Sequence, residues 1–288
     1  MRMLFTVALA AALGGSSVWG QAVGLPMEPN HDSGQSITAA YEGWYKNPDG
    51  TFTILIGYYN RSLKTAADIL IGPENRIEPG GPDYGQPTHF LAGRQWGVFN
   101  IRVPAGFGDK RLTWTLTYNG KTTQIPFSLN PLWIVEPFFD VNGNNGPYVS
   151  FKESGPFRNG PLPEAEVLAA TVGTPISIPV WVAEDEKLTA GAKRPKTPPV
   201  VMGWTKSRGP GEVTFMPARP AAEPMPNSNV PKDAVFQGKA TTTATFNAPG
   251  DYVLRLEVND WTGVGGRGFQ CCWSTALVKV SVKAAAGK

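Results

Sequence analysis

Strict alternation near the C-terminus constrains this chain more than any other feature. Tyr252, Leu254, Leu256 and Val258 occupy every second position, and Ala276, Val278, Val280 and Val282 repeat the pattern. A helix would scatter such residues around its circumference, whereas a strand puts them all on one face. Turn residues bound both runs: Asn247-Ala248-Pro249-Gly250-Asp251 precedes the first, and Asn259-Asp260-Trp261-Thr262-Gly263 follows it. A threonine-rich strand, Ala240–Phe246, leads in. Half-buried antiparallel strands in a two-layer sheet structure are the expectation.

The rest of the chain agrees. Glycine (33) and proline (27) are abundant, and few stretches avoid them and β-branched residues for three helical turns. An all-β fold with many turns follows. Arg2 and the apolar run Met3–Leu13, then small residues, read as a secretory signal cleaved after Gly20 or, by the small-x-small rule, after Ala22. Residues 1–22 are therefore expected to be a signal peptide and 23–36 a loose N-terminal arm or a lead-in. That implies a periplasmic or extracellular protein. No cysteine lies near the cleavage region, which argues against a lipid anchor, and no later stretch is apolar for long enough to span a membrane. The remaining ~266 residues suffice for two domains of roughly 100–130 residues. A formal net charge of +3, with its basic residues scattered, leaves no electrostatic footprint for nucleic acid. The densest basic cluster, Lys187 to Lys196, lies among Pro, Gly and Ala and reads as a solvated loop.

Two β-sandwich domains in tandem are expected. The first covers 37–137, with strands at Thr51–Tyr59, Ala67–Ile71, Trp96–Val103, Leu112–Tyr118 and Thr122–Leu129. Leu112, Trp114, Leu116 and Tyr118 alternate with polar residues, and Asn119-Gly120 signals a type I′ hairpin. The segment 72–93 is long and rich in Gly and Pro, the signature of a binding loop or a packed Ω-loop. Residues 138–165 have the Gly/Pro/Asn composition of a semi-rigid linker. The second domain, 166–284, opens with Ile176, Ile178, Val180 and Val182. Trp204 is placed as its central core tryptophan, and Met216–Lys232 reads as an insertion at one end.

Trp204, the stretch Ser207-Arg208-Gly209-Pro210-Gly211-Glu212-Val213, and Ala248-Pro249-Gly250-Asp251-Tyr252-Val253-Leu254-Arg255-Leu256 through Asp260 and Gly263 together resemble the PKD-type and related bacterial Ig-like domains. The resemblance covers about 115 residues, Val167 to Val282. It implies an Ig-like sandwich. Domains of that kind mostly serve as spacers or interaction modules on exported proteins. The Trp-Asp-Phe-Gly-Asp-Gly segment of standard PKD domains is replaced here by Trp204-Thr205-Lys206-Ser207, which marks a variant.

The residues that could carry chemistry are few. His31 and His89 are the only histidines, and no nucleophile elbow, HExxH or Cys/His cluster accompanies them. Asp140, Asn142 and Asn144 alternate like oxygen ligands of a calcium loop, but an EF-hand would need glycine and glutamate where Asn145 and Phe151 stand. Asp260, at an inter-sheet turn, is a second calcium candidate, against the plainer reading of an Asx-type turn. No cofactor is expected, with calcium at these residues as the one alternative. Cys271 and Cys272 are adjacent and have no other partner in the chain. A vicinal disulfide, free thiols and an intermolecular bridge all stay open, and these two are the redox candidates. Trp114 and Trp204 fall on core positions. Trp44, Tyr45, Trp96, Trp181 and Trp261 fall on turns or polar faces, and one of Tyr58 and Tyr59 must face outward. Trp44, Tyr59 and Trp96 are accordingly the candidates for glycan or partner contact. The expected function is a non-enzymatic interaction or structural spacer protein with a protein or surface-glycan partner. The alternative is a carbohydrate-binding module, with a hydrolase or redox protein further behind.

Overall fold

The computed structural model describes residues 31–135, 143–162, 167–188, 198–261 and 272–285. The signal-peptide cleavage points, most of the N-terminal arm, Asp140, Asn142 and Cys271 lie outside these residues. The described chain is all-β: two β-sandwiches in tandem, each a pair of sheets closed over its own apolar core.

In the first sandwich, β1 (Ile37–Lys46), β2 (Phe52–Asn60) and β6 (Gly93–Val103) form one sheet in the order β1-β2-β6. It faces the sheet β4-β7-β8, made of β4 (Asn75–Glu78), β7 (Arg111–Tyr118) and β8 (Lys121–Ser128). The β7–β8 hairpin turns at Asn119 and Gly120, both with positive φ, as a type I′ turn requires. Ile54, Ile56, Tyr58, Phe99, Ile101, Trp114, Leu116 and Phe127 fill the space between the sheets. Trp114 is 0% exposed, and its indole N–H donates to Asn75 Oδ1 at 2.9 Å. Burial of that polar group is thereby satisfied.

The second sandwich packs the sheet β10-β17-β16-β12 on the sheet β13-β15-β11-β9, with β14 (Glu223–Pro224) at the side of β15. Its strands are β9 (Tyr148–Ser150), β10 (Leu168–Thr171), β11 (Ile176–Glu184), β12 (Val201–Arg208), β13 (Val213–Met216), β15 (Phe236–Phe246), β16 (Gly250–Asn259) and β17 (Trp273–Lys283). The alternating residues of β16 and β17 pair across the ladder, Leu254 with Val278 and Leu256 with Ala276, and their apolar faces meet Trp204, Phe246 and Val180 in the core.

Three expectations need correction. The segment 138–165 is not only linker: Tyr148–Ser150 joins the second sandwich by antiparallel pairing with Trp181–Ala183. The loop 72–93 carries β4 and the short strand β5 (His89–Phe90), which pairs with β3 (Ala67–Asp68). Residues 31–36 are held rather than loose, because Leu63 N–H donates to His31 O and Arg61 N–H to Ser36 O. The loop's strands are only four and two residues long and lie among prolines at 73, 79, 82 and 87, so no alternation runs long enough to show in the sequence.

Candidate functional site

The residues from His31 onward form one compact unit, and the contact between the sandwiches is where unusual chemistry gathers. Three β-bulges build it. In β12 the register against β16 shifts between Lys206 and Arg208, so Ser207 is the extra residue. A bulge leaves the extra residue's backbone unpaired and re-aims the side chain that follows. Here the freed Ser207 carbonyl accepts from Thr88 N–H at 3.0 Å. Arg208 then reaches back to the 72–93 loop: Nη1 and Nη2 bind the Asp83 carboxylate at 2.9 and 2.7 Å, and Nε donates to Gln86 O at 2.6 Å. The loop is stiff enough to serve, because Asn75 donates to Ile69 O and Pro87 O while Gln86 donates to Pro82 O. The Arg208 guanidinium holds the Asp83 carboxyl below its usual value.

The other two bulges face each other in the first sandwich. The β2–β6 register jumps from Ile56↔Phe99 to Tyr58↔Gln95, and the β1–β2 register shifts at Glu42. Glu42 is buried; its carboxylate accepts from Gly97 N–H at 2.9 Å and from Arg94 Nη2 at 2.7 Å. Burial pushes the Glu42 carboxyl up, and the Arg94 charge opposes that. The β6 bulge also offers the Trp96 carbonyl to Arg255 of β16 at 2.5 Å, and it leaves Gly97 under the Trp273 ring. A Cβ at position 97 would lie 2.3 Å from that ring, and φ there is +50°, so only glycine fits without displacement.

Beside this seam opens a cleft of about 240 Å³. Arg94, Gln95 and Trp96 line it from the first sandwich, and Arg219, Arg255 and Glu257 from the second. Arg94 stacks on the Trp96 indole with its guanidinium carbon 3.7 Å from the ring centroid. Trp96 thus belongs to a cleft between sandwiches, as well as being one of the aromatic candidates. The other two candidates stand apart from it. Trp44 is 8% exposed, packs edge-on to Phe52 and donates to Asn130 O, so it offers no exposed platform. The β1 bulge, which the sequence pattern conceals, accounts for that change of face. Tyr59 is 42% exposed, with the Arg61 guanidinium over its ring.

The calcium candidates Asn144 and Asp260 are both buried and lie together: Asn144 Nδ2 donates to Asp260 Oδ2 at 2.7 Å. Sequence reasoning missed their acidic neighbours Glu184 and Asp185. Glu184 is 1% exposed, and burial together with the Asp260 and Asp185 charges pushes its carboxyl up to about 9. Asp185 is held by the Asn145 amide and by Lys187 Nζ at 3.2 Å. Among the described residues, no three His, Cys, Asp or Glu side chains stand as a metal-ligating group. Cys272, beside Asn144, is disulfide-bonded and has a φ of 73°. The sequence contains only one other cysteine, the adjacent Cys271. His89 Nδ1 lies 2.8 Å from Asp68 Oδ1 at the protein surface.

No family model matches the chain, and no curated protein sequence does. No helix among the described residues is long and apolar enough to cross a membrane. Several solved structures resemble the chain at low similarity. Domains 4 and 5 of the S-layer protein SbsC are 10% identical over 60% of this chain and 65% of that one, with a TM-score of 0.22. The Yersinia pseudotuberculosis adhesin InvE is 12% identical over 85% of this chain and 58% of that one, at 0.21. The sialic acid binding region of a Streptococcus sanguinis SK1 adhesin is 9% identical over 88% and 78%, at 0.23. The chain spans just under two thirds of the first of these structures and 30% of the longer SbsC fragment of domains 4–9.

Proposed function

We propose that this chain is an exported, non-catalytic interaction module in which two β-sandwiches, the second of PKD-like or Ig-like kind, are clamped so that they present one continuous surface. The observation that carries the reading is the bulge-built seam, where Arg208 grips Asp83 bidentately and Ser207 accepts from Thr88. Bidentate guanidinium–carboxylate pairs fix orientation as well as distance. A flexible tether would leave the sandwiches free to move, as relative motion is the default between domains with small contacts. Three bulges spent on one contact support a role in which the relative placement of the sandwiches matters.

A second reading has its own support. The cleft beside the seam combines the Trp96 indole with amide and guanidinium groups from both sandwiches, the mixture that sugar-binding surfaces use. On this reading the clamp fixes the two walls of a glycan site. One experiment tests both. Wild type and Arg208→Ala are compared for saturable binding to cell-envelope preparations and to a glycan panel, with circular dichroism confirming that each variant is folded. The module reading expects envelope binding that weakens when the clamp is cut. Binding unaffected by Arg208→Ala would leave the seam without a functional role, and turnover of a panel glycan would overturn the non-catalytic assignment.

A further inference from the structure

The cleft between the sandwiches carries a charge preference that its aromatic content alone does not specify. Three guanidiniums line it, from Arg94, Arg219 and Arg255, against one carboxylate, Glu257. Two of the three are matched: Arg94 by the buried Glu42 at 2.7 Å, and Arg255 by Glu257 at 2.5 Å. Arg219 is exposed and has no acidic partner among the described residues. The buried Arg255 also keeps its Nε–H without an acceptor. The cleft therefore has a surplus of positive charge and of N–H donors.

The position of Arg219 is built. Its neighbour Ala218 accepts from Trp204 N–H at 2.9 Å, and Pro217 O accepts from Thr242 Oγ1 at 2.7 Å. These two bonds pin the loop that carries Arg219 to β12 and β15. A guanidinium held at the rim of a concave site matches a carboxylate, because its parallel N–H groups fit both oxygens of the anion. The rest of the lining suits a ring with hydroxyls: the Trp96 indole supplies a flat apolar surface, and Gln95 and Thr205 supply polar groups. The volume of about 240 Å³ is below the roughly 300–1,000 Å³ of sites for drug-sized molecules, so it fits one ring-sized unit.

We propose that this cleft binds an acidic sugar residue, with its carboxylate on Arg219 and its ring beside Trp96. The proposal rests on reading the cleft as a binding surface, and it adds the charge class of the ligand. The same chemistry could come from a free sugar acid or from one residue of an acidic polysaccharide.

Isothermal titration calorimetry on the full chain tests it with four probes: free galacturonic acid, an oligogalacturonide, the methyl ester of that oligogalacturonide, and a neutral gluco-oligosaccharide. Arg219→Ala is the diagnostic variant, since an exposed side chain can be truncated without opening the core. We expect the oligogalacturonide to bind, the ester and the variant each to lose about tenfold in affinity, and added salt to weaken the interaction. Binding of the free acid would identify a monosaccharide site, and binding of the oligomer alone a polymer site; either outcome supports the proposal. Equal affinity for acid and ester, or full affinity in Arg219→Ala, would overturn it while leaving the cleft a sugar site. Binding of the neutral probe alone would do the same. Silence with all four probes would overturn both the proposal and the sugar reading of the cleft.

Discussion

Arg208 and Asp83 lie 125 positions apart in the chain and meet through two hydrogen bonds, of 2.9 and 2.7 Å, across the boundary between the sandwiches. The pair is partly exposed, so the geometry it imposes weighs more than its net energy. Its effect on stability should nonetheless be visible through pH. The Asp83 carboxyl is held below its ordinary value of 3.8, first by the hydrogen bonds from Arg208. A depressed folded-state value means that the unfolded chain binds more protons in the acidic window. The stabilisation is thus complete above pH 3.8 and is lost as the pH falls below it. Thermal melts of wild type and Asp83→Asn should differ near neutrality and converge on acidification. A constant difference at every pH would mean that the charge of Asp83 plays no part.

Gly97 should not tolerate a side chain. Gly97→Ala places a methyl group against the Trp273 ring in a left-handed backbone region, and a cost of about 1–3 kcal/mol is expected from overpacking. Chemical denaturation measures it. A neutral substitution would show that the Trp273 ring moves aside freely.

The two core tryptophans should answer differently to the same replacement. Trp114 donates to Asn75 Oδ1 inside the core, whereas the Trp204 indole nitrogen is buried with no hydrogen-bond partner. Tryptophan to phenylalanine leaves a void at either position. Only at 114 does it also remove a buried hydrogen bond, and that should add about 1–3 kcal/mol. Paired urea titrations of Trp114→Phe and Trp204→Phe decide the matter, and equal losses would contradict it.

The disulfide at Cys272 has a simple chemical signature. Denatured, unreduced protein should give no thiol signal with Ellman's reagent and should run as a monomer on a non-reducing gel. A dimer band would mean that the bridge joins two chains.

How much of this could be read from sequence depends on regularity. The strands β7, β16 and β17 announced themselves because one apolar face packs without interruption. β1 did not. Glu42 interrupts its alternation with a bulge, and the same bulge moves Trp44 into the core rather than onto the surface. The seam was illegible for a related reason. Arg208, Asp83, Ser207 and Thr88 are ordinary residues in ordinary contexts, and their meeting depends on a register shift between strands distant in sequence. Trp96 could be picked out as an aromatic on a polar face, but the arginines around it come from β6, β16 and the loop after β13. In the same way, Asn144 and Asp260 were visible as acid and amide candidates, while Glu184 and Asp185 became their neighbours only through the fold.

The bulge at Ser207 makes the joint between the sandwiches depend on counting rather than on residue identity. The group that Thr88 finds there is a carbonyl oxygen, which every amino acid supplies, so the bond itself does not require serine, and the buried setting asks only for a side chain that fits. Deleting one residue there has the opposite character. It would heal β12 into a regular strand, satisfy its ladder against β16, and withdraw both the carbonyl and the Arg208 fork from the neighbouring loop. The second sandwich would keep its core while losing its hold on the first. Among natural variants of this chain, single-residue insertions and deletions in β12 should therefore be rarer than substitutions at the same positions.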